Sequence, residues 1–282
     1  MRKAFIIQIA IVFGILFVVG LLVSTSPVLA QGKSTWQAIK ERGSFRLGAT
    51  PSPPWFYKDP KTRQWSGFSY LLAKEIAHTM GVKLEIVETT WGNMIAALHA
   101  DQIDLSIALD ATPKRALAID FIFHPLLYVS LAILAREDLE VEYWEDLNKP
   151  SIKLAVPMGT SNDRAATALL PKAKITRYPS NDETVASFQS RRSDGVCLWL
   201  PPIISYRHKI GMGKIVLPKP IQSIASSIGV RREPDKTWRD YLNIFVAFYY
   251  RTGRMQKLWD KNLRDHGIDP KIVPPIIKEL WD

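Results

Sequence analysis

The stretch from Gly67 to Phe121 constrains this chain most, because it changes repeatedly between helical and strand periodicity. Leu72, Ile76 and Met80 follow Phe68 at helical spacing, with Ala73 and Ala77 beside them, and Gly81 stops the helix. Val82, Leu84 and Ile86 then alternate with Lys83 and Glu85 as a half-buried strand. Met94 to Ala100 predicts a second helix and Ile103 to Leu109 a second strand. Thr112-Pro113 opens a further helix: Thr caps well, Pro suits the first helical position because its missing N–H would be unsatisfied there anyway, and Arg115 follows in the first turn. Strands alternating with helices imply parallel β-α-β units, whose ligands collect at the carboxyl ends of the strands. Asp110, Arg115 and the proline-rich loop 49–57 belong at that edge, where a guanidinium beside a helix start is a candidate carboxylate or phosphate site.

Outside this block, residues 1–30 form a unit of their own. Arg2 and Lys3 precede an apolar run from Ala4 to Val23, and Val28-Leu29-Ala30 supplies small residues at a cut site. This predicts an export signal cleaved after Ala30, with a retained membrane anchor as the alternative. Removing it lowers the net charge from +10 to +8. The basic residues are scattered as pairs such as Arg191-Arg192 and Arg231-Arg232, so a solvated surface is expected and not a nucleic-acid interface. Cys197 is the only cysteine, so no internal disulfide forms, and GVCLWL around it predicts a small buried hydrophobe. His78, His99, His124, His208 and His266 lack metal-ligand spacing, and no Ser-His-Asp set or P-loop stands out; no metal or cofactor is expected.

About 250 residues exceed what one core usually holds, so two lobes are expected, and the lack of a Gly/Ser linker implies that the chain crosses between them more than once. Strands are expected at Ser44–Gly48, Tyr128–Ala135, Lys153–Pro157, Ile175–Tyr178, Gly195–Leu200 and Ile224–Val230. Helices are expected at Ser34–Arg42, from about Asp163, at Asp182–Gln189, and over Trp238–Trp259 with an interruption at Gly253.

Gly67-Phe68, Trp91, Asp104, Thr112 with Arg115, and Asp120-Phe121, in this order and spacing, resemble the first lobe of the polar amino-acid solute-binding proteins of bacterial ABC importers. The resemblance runs from about Trp36 to Trp259 and implies an α/β chain of the type II periplasmic binding fold, two lobes joined by two hinge strands. With the signal peptide over 1–30 set apart, it implies a first lobe over 31–128, a second over 129–223, and a return to the first with C-terminal helices over 224–282. The implied function is a monomeric periplasmic receptor that closes on a small carboxylate-bearing, amino-acid-like solute and delivers it to an inner-membrane ABC permease. Cyclohexadienyl dehydratases resemble these receptors as well, so an enzyme that turns a cyclic acid into an aromatic one is the alternative.

By the same resemblance Arg115 makes the paired contact with the solute carboxylate, which suits a planar guanidinium, and Thr112, Thr160 and Ser161 offer N–H groups or hydroxyls, with a plain helix cap as the alternative for each. Trp55 is a candidate aromatic wall or a loop aromatic packed on the lobe surface. Two positions depart from the family pattern. Asp110 stands where a Ser or Thr is usual: it balances Arg115, accepts a ligand amine, or caps a turn. Trp199 stands where an ammonium-holding Asp is common, and reads as a stacking surface or a core residue.

Overall fold

The computed structural model describes residues 32–277, and the expected export signal with its cut after Ala30 lies outside them. The chain runs α1 (Thr35–Arg42), β1 (Ser44–Ala49), β2 (Tyr57–Lys58), β3 (Trp65–Ser66), α2 (Phe68–Met80), β4 (Lys83–Glu88), α3 (Met94–His99), β5 (Leu105–Asp110), α4 (Pro113–Ala116), β6 (Ile119–Phe121) and β7 (Leu127–Ala135). It continues through α5 (Trp144–Leu147), β8 (Lys153–Pro157), α6 (Ser161–Leu169), β9 (Lys174–Tyr178), α7 (Asn181–Gln189), β10 (Gly195–Trp199), α8 (Leu200–Ile210), β11 (Lys214–Val216) and β12 (Ser223–Arg231). Helices α9 (Thr237–Arg251) and α10 (Arg254–Asp265) and a short 3-10 turn, Pro270–Ile272, complete it.

One curled sheet carries the fold, in the order β4-β1-β5-β12-β7-β10-β8-β9, with β6 added to β12 and β11 to β7. β1 lies parallel to β4 and β5, and β8 lies parallel to β9 and β10, so each end of the sheet is a β-α-β arrangement. The two ends meet through β7 and β12. β7 uses Leu127–Ser130 to pair antiparallel with β12, then Leu131–Ala135 to pair with β10 and β11. These long strands are the hinge of a type II periplasmic binding fold, with one α/β lobe on each side.

Why the chain takes this form is local. β5 is buried along its whole length, as a central strand covered on both faces must be. β4, at the sheet edge, keeps the alternation of exposed and half-buried residues that its sequence shows. Asp104 starts β5 with its carboxylate accepting from the Arg46 backbone N–H at 2.6 Å, from Arg46 Nη2 at 2.8 Å and from Arg42. Trp238 Nε1 donates to the Asp104 carbonyl at 3.0 Å, which ties α9 to the same point.

Two expectations need correction. The helix opened by Thr112-Pro113 is a single turn, because Ile119, Asp120 and Phe121 leave it to pair with Arg231, Val230 and Gly229 of β12. The helix expected from about Asp163 starts two residues earlier, where Thr160 caps it. The interruption expected at Gly253 is there: Gly253 takes φ +70° and separates α9 from α10. Cys197 is buried, as its apolar surroundings require, and burial pushes its thiol up to about 12.

Candidate functional site

The carboxyl ends of β5, β8 and β10 converge on one cleft between the lobes. Asp110 ends β5, Thr160 and Ser161 follow β8, and Trp199 ends β10. The cavity volume is about 30 Å³, room for about one water molecule, and side chains from the two sides of the sheet meet across it.

Arg115 reaches the cleft from α4, whose first turn is set by the Thr112 hydroxyl accepting the Arg115 backbone N–H at 3.2 Å. The guanidinium is 6% exposed; its Nη1 donates to the Asp110 carbonyl at 3.1 Å and stands 3.8 Å from the Asp110 carboxylate. Burial lowers the guanidinium below its ordinary value, and Asp110 opposes that effect. Thr112 itself does not line the cavity; its hydroxyl is used for the cap.

Asp110 bridges the lobes. Its carboxylate accepts from the Ser161 hydroxyl and from Trp199 Nε1 at 2.9 Å, both in the second lobe. Trp199 Nε1 also lies 3.1 Å from Ser161 Oγ, which closes a three-membered network. Burial raises the Asp110 carboxyl above the ordinary carboxylate range, with Arg115 and the two donors pulling the other way. Trp199 is buried in the core, one of the two roles read from its sequence, while its indole also lines the cavity and its N–H is a cross-lobe donor, which the sequence did not suggest.

Thr160 accepts the Asp163 backbone N–H at 3.2 Å and donates to the Pro157 carbonyl at 2.7 Å, so it lines the cavity while capping α6. Trp55 lines the opposite wall. The start of α2 holds its loop in place: the Phe68 and Ser69 N–H groups donate to the Pro54 and Trp55 carbonyls at 3.0 Å each. Behind it, Trp259 packs at 5.8 Å between ring centres.

Three further polar side chains line the cavity that the sequence did not single out: Ser52, Asn162 and Asn181. Ser52 accepts from Asn181 Nδ2 at 2.8 Å across the cleft. Asn162 lines the cavity next to Ser161; Arg164, in the first turn of α6, lies outside the lining but acts on Asp110 and Arg115 through its charge. Asn162 was within reach of sequence reasoning, since it shares the turn already singled out. Asn181 was not: Ser180-Asn181-Asp182 reads as an ordinary helix start, and its partner lies 129 residues away.

This arrangement can hold a small acid between Arg115 and the hydroxyl-bearing turn of α6, and Asp110, if protonated, can act as an acid in a dry site. Residues 45–265 match the bacterial extracellular solute-binding proteins, family 3. Among solved structures, an ancestral amino acid-binding protein, a precursor of cyclohexadienyl dehydratase, is 32% identical with a TM-score of 0.74, covering 81% of this chain and 99% of that one. A binding component of an ABC transporter from Wolinella succinogenes, complexed with lysine, is 29% identical with a TM-score of 0.72, covering 78% and 95%. The cyclohexadienyl dehydratase of Pseudomonas aeruginosa is 26% identical over 165 residues, which is 57% of this chain and 60% of the enzyme. Relatives thus include binding proteins and at least one enzyme. Among the described residues no helix is long and apolar enough to cross a membrane. With most of its length matched, the chain belongs to the bacterial extracellular solute-binding proteins, family 3.

Proposed function

We propose that this protein is the periplasmic receptor of an ABC importer, exported by residues 1–30 and cleaved after Ala30, which delivers a small carboxylate-bearing solute to an inner-membrane permease. The observation that supports it is the buried Arg115 guanidinium in an interlobe cleft, opposite the Thr160-Ser161 turn. Among the described residues that cation pairs with one carboxylate, 3.8 Å away, which suits an anionic guest, and a guanidinium matches carboxylate geometry. The receptor works as a monomer, with residues 32–128 and 224–277 as the first lobe and 129–223 as the second. Closure about β7 and β12 reports occupancy to the permease.

Mass spectrometry of material carried through purification identifies the solute, and calorimetry on Arg115→Ala then tests the role. Affinity should fall by about 2–5 kcal/mol, the cost of leaving a buried partner unpaired. Unchanged affinity discards the role.

A second reading, a dehydratase on the same fold, is favoured by one observation: the raised pKa of Asp110, which suits a general acid. Incubation with prephenate or arogenate decides between them. Aromatic product selects the enzyme; its absence together with tight solute binding selects the receptor.

A further inference from the structure

If Arg115 takes a carboxylate, as the receptor reading holds, the charges and acceptors around it decide what else the solute carries. Arg164 sits three residues beyond Ser161, on the same side of α6. Its Nη1 donates to the Gly159 carbonyl at 3.2 Å, while its Nη2 is buried without a hydrogen-bond partner. Its field acts on both Asp110 and Arg115. The neighbouring Asp163 does not balance it, because that carboxylate is held by Arg177 Nε at 2.9 Å and by the Gly159 N–H at 3.1 Å. Among the described residues, two cations therefore act on one cavity carboxylate, Asp110, which is already engaged by Ser161 and Trp199.

The acceptors tell the same story. Asn162 and Asn181 line the cavity at 6% and 4% exposure, and the Oδ1 of each is buried with no donor. Ser52 holds the amide nitrogen of Asn181, which leaves the carbonyl arm unpaired. A buried acceptor left unpaired is costly, so a bound guest is expected to satisfy both. These acceptors are neutral. Where an ammonium-binding acid is common in the family, Trp199 presents an N–H, which an ammonium cannot use.

We propose that the solute is an amine-free carboxylic acid bearing a neutral hydrogen-bond donor, a hydroxyl or an amide N–H, read by Asn162 and Asn181 while Arg115 and Arg164 set its negative charge. An ammonium would bring a third cation into a cleft with a single engaged carboxylate, whereas an amine-free monoanion balances the three charges present.

Thermal-shift and calorimetric titration of the intact protein with matched acids tests this: L-lactate against L-alanine, L-phenyllactate against L-phenylalanine, and N-acetyl amino acids against the free ones. The amine-free member should bind about tenfold or more tightly in at least one pair. Asn162→Asp should abolish or reverse that preference, since its carboxylate accepts an ammonium and repels an anion. Arg164→Gln should weaken the amine-free member selectively. Tighter binding of the free amino acids, lost in Arg115→Ala, overturns this inference and leaves the carboxylate reading standing. A preference unchanged in both Asn162→Asp and Arg164→Gln also overturns it. Failure of every acid to stabilise the protein overturns both.

Discussion

Asp110 gains two hydrogen bonds from the second lobe and a guanidinium 3.8 Å away, yet loses its hydration, and the lost hydration dominates. Its folded pKa is raised above the unfolded value, so its proton-linked contribution to stability is complete below the unfolded pKa and is lost as pH rises through the folded one. Asp110→Asn keeps a carbonyl for Ser161 and Trp199 but cannot ionise. Melting temperatures measured from about pH 4 to pH 8 should therefore drift in favour of the variant as pH rises. A drift the other way would mean that Arg115 outweighs burial. The sequence singled out both Asp110 and Trp199 by their departure from the family pattern. It could not show that each answers the other, because that contact depends on the ends of β5 and β10 meeting across a cleft. Arg164 and Asn181 were hidden for the same reason: nothing in their neighbours distinguishes a residue at a cleft from a polar residue in a helix's first turn.

Elements were legible where burial alone decides them. β1, β5, β8 and α2 follow the apolar spacing closely, because each packs one or both faces into the core. β6 was missed because it is three residues long and exists only through β12, far along the chain. The entry to α2 depends on a conformation as well as on packing. Gly67 holds φ +112°, and a Cβ there would meet the Trp55 carbonyl oxygen at 2.4 Å. That carbonyl accepts the Ser69 N–H, so the loop bearing Trp55 cannot step aside without losing the helix start. Gly67→Ala should cost on the order of 3 kcal/mol from backbone strain and the forced displacement together, read as a lower urea midpoint with an unchanged slope. It should also weaken solute binding, because Trp55 moves. A midpoint within error of the unsubstituted protein would mean that the loop adapts freely.

At the scale of the molecule, the closed cleft is bridged by side chains that belong to the protein itself: Asp110 with Ser161, Asp110 with Trp199, and Asn181 with Ser52. The two lobes otherwise hinge on β7 and β12, whose pairing from Ser223 with Ser130 to Ser226 with Leu127 can persist while the lobes swing. Closure is then an equilibrium to which the bridges contribute and which a solute pulls further. Trp199→Phe keeps an apolar ring at the end of β10 and removes the indole N–H together with the rest of the five-membered ring, so it deletes the donor to Asp110 and the contact with Ser161. Two such bonds are worth about 1–3 kcal/mol together, enough to move the open-to-closed ratio roughly tenfold. Small-angle scattering of the solute-free variant should give a larger radius of gyration than the unsubstituted protein. Saturating solute should bring both to the same compact value, because differential binding to the closed form restores what the bridge supplied. Equal radii before solute is added would mean that packing at the hinge sets the equilibrium, with no part for Trp199.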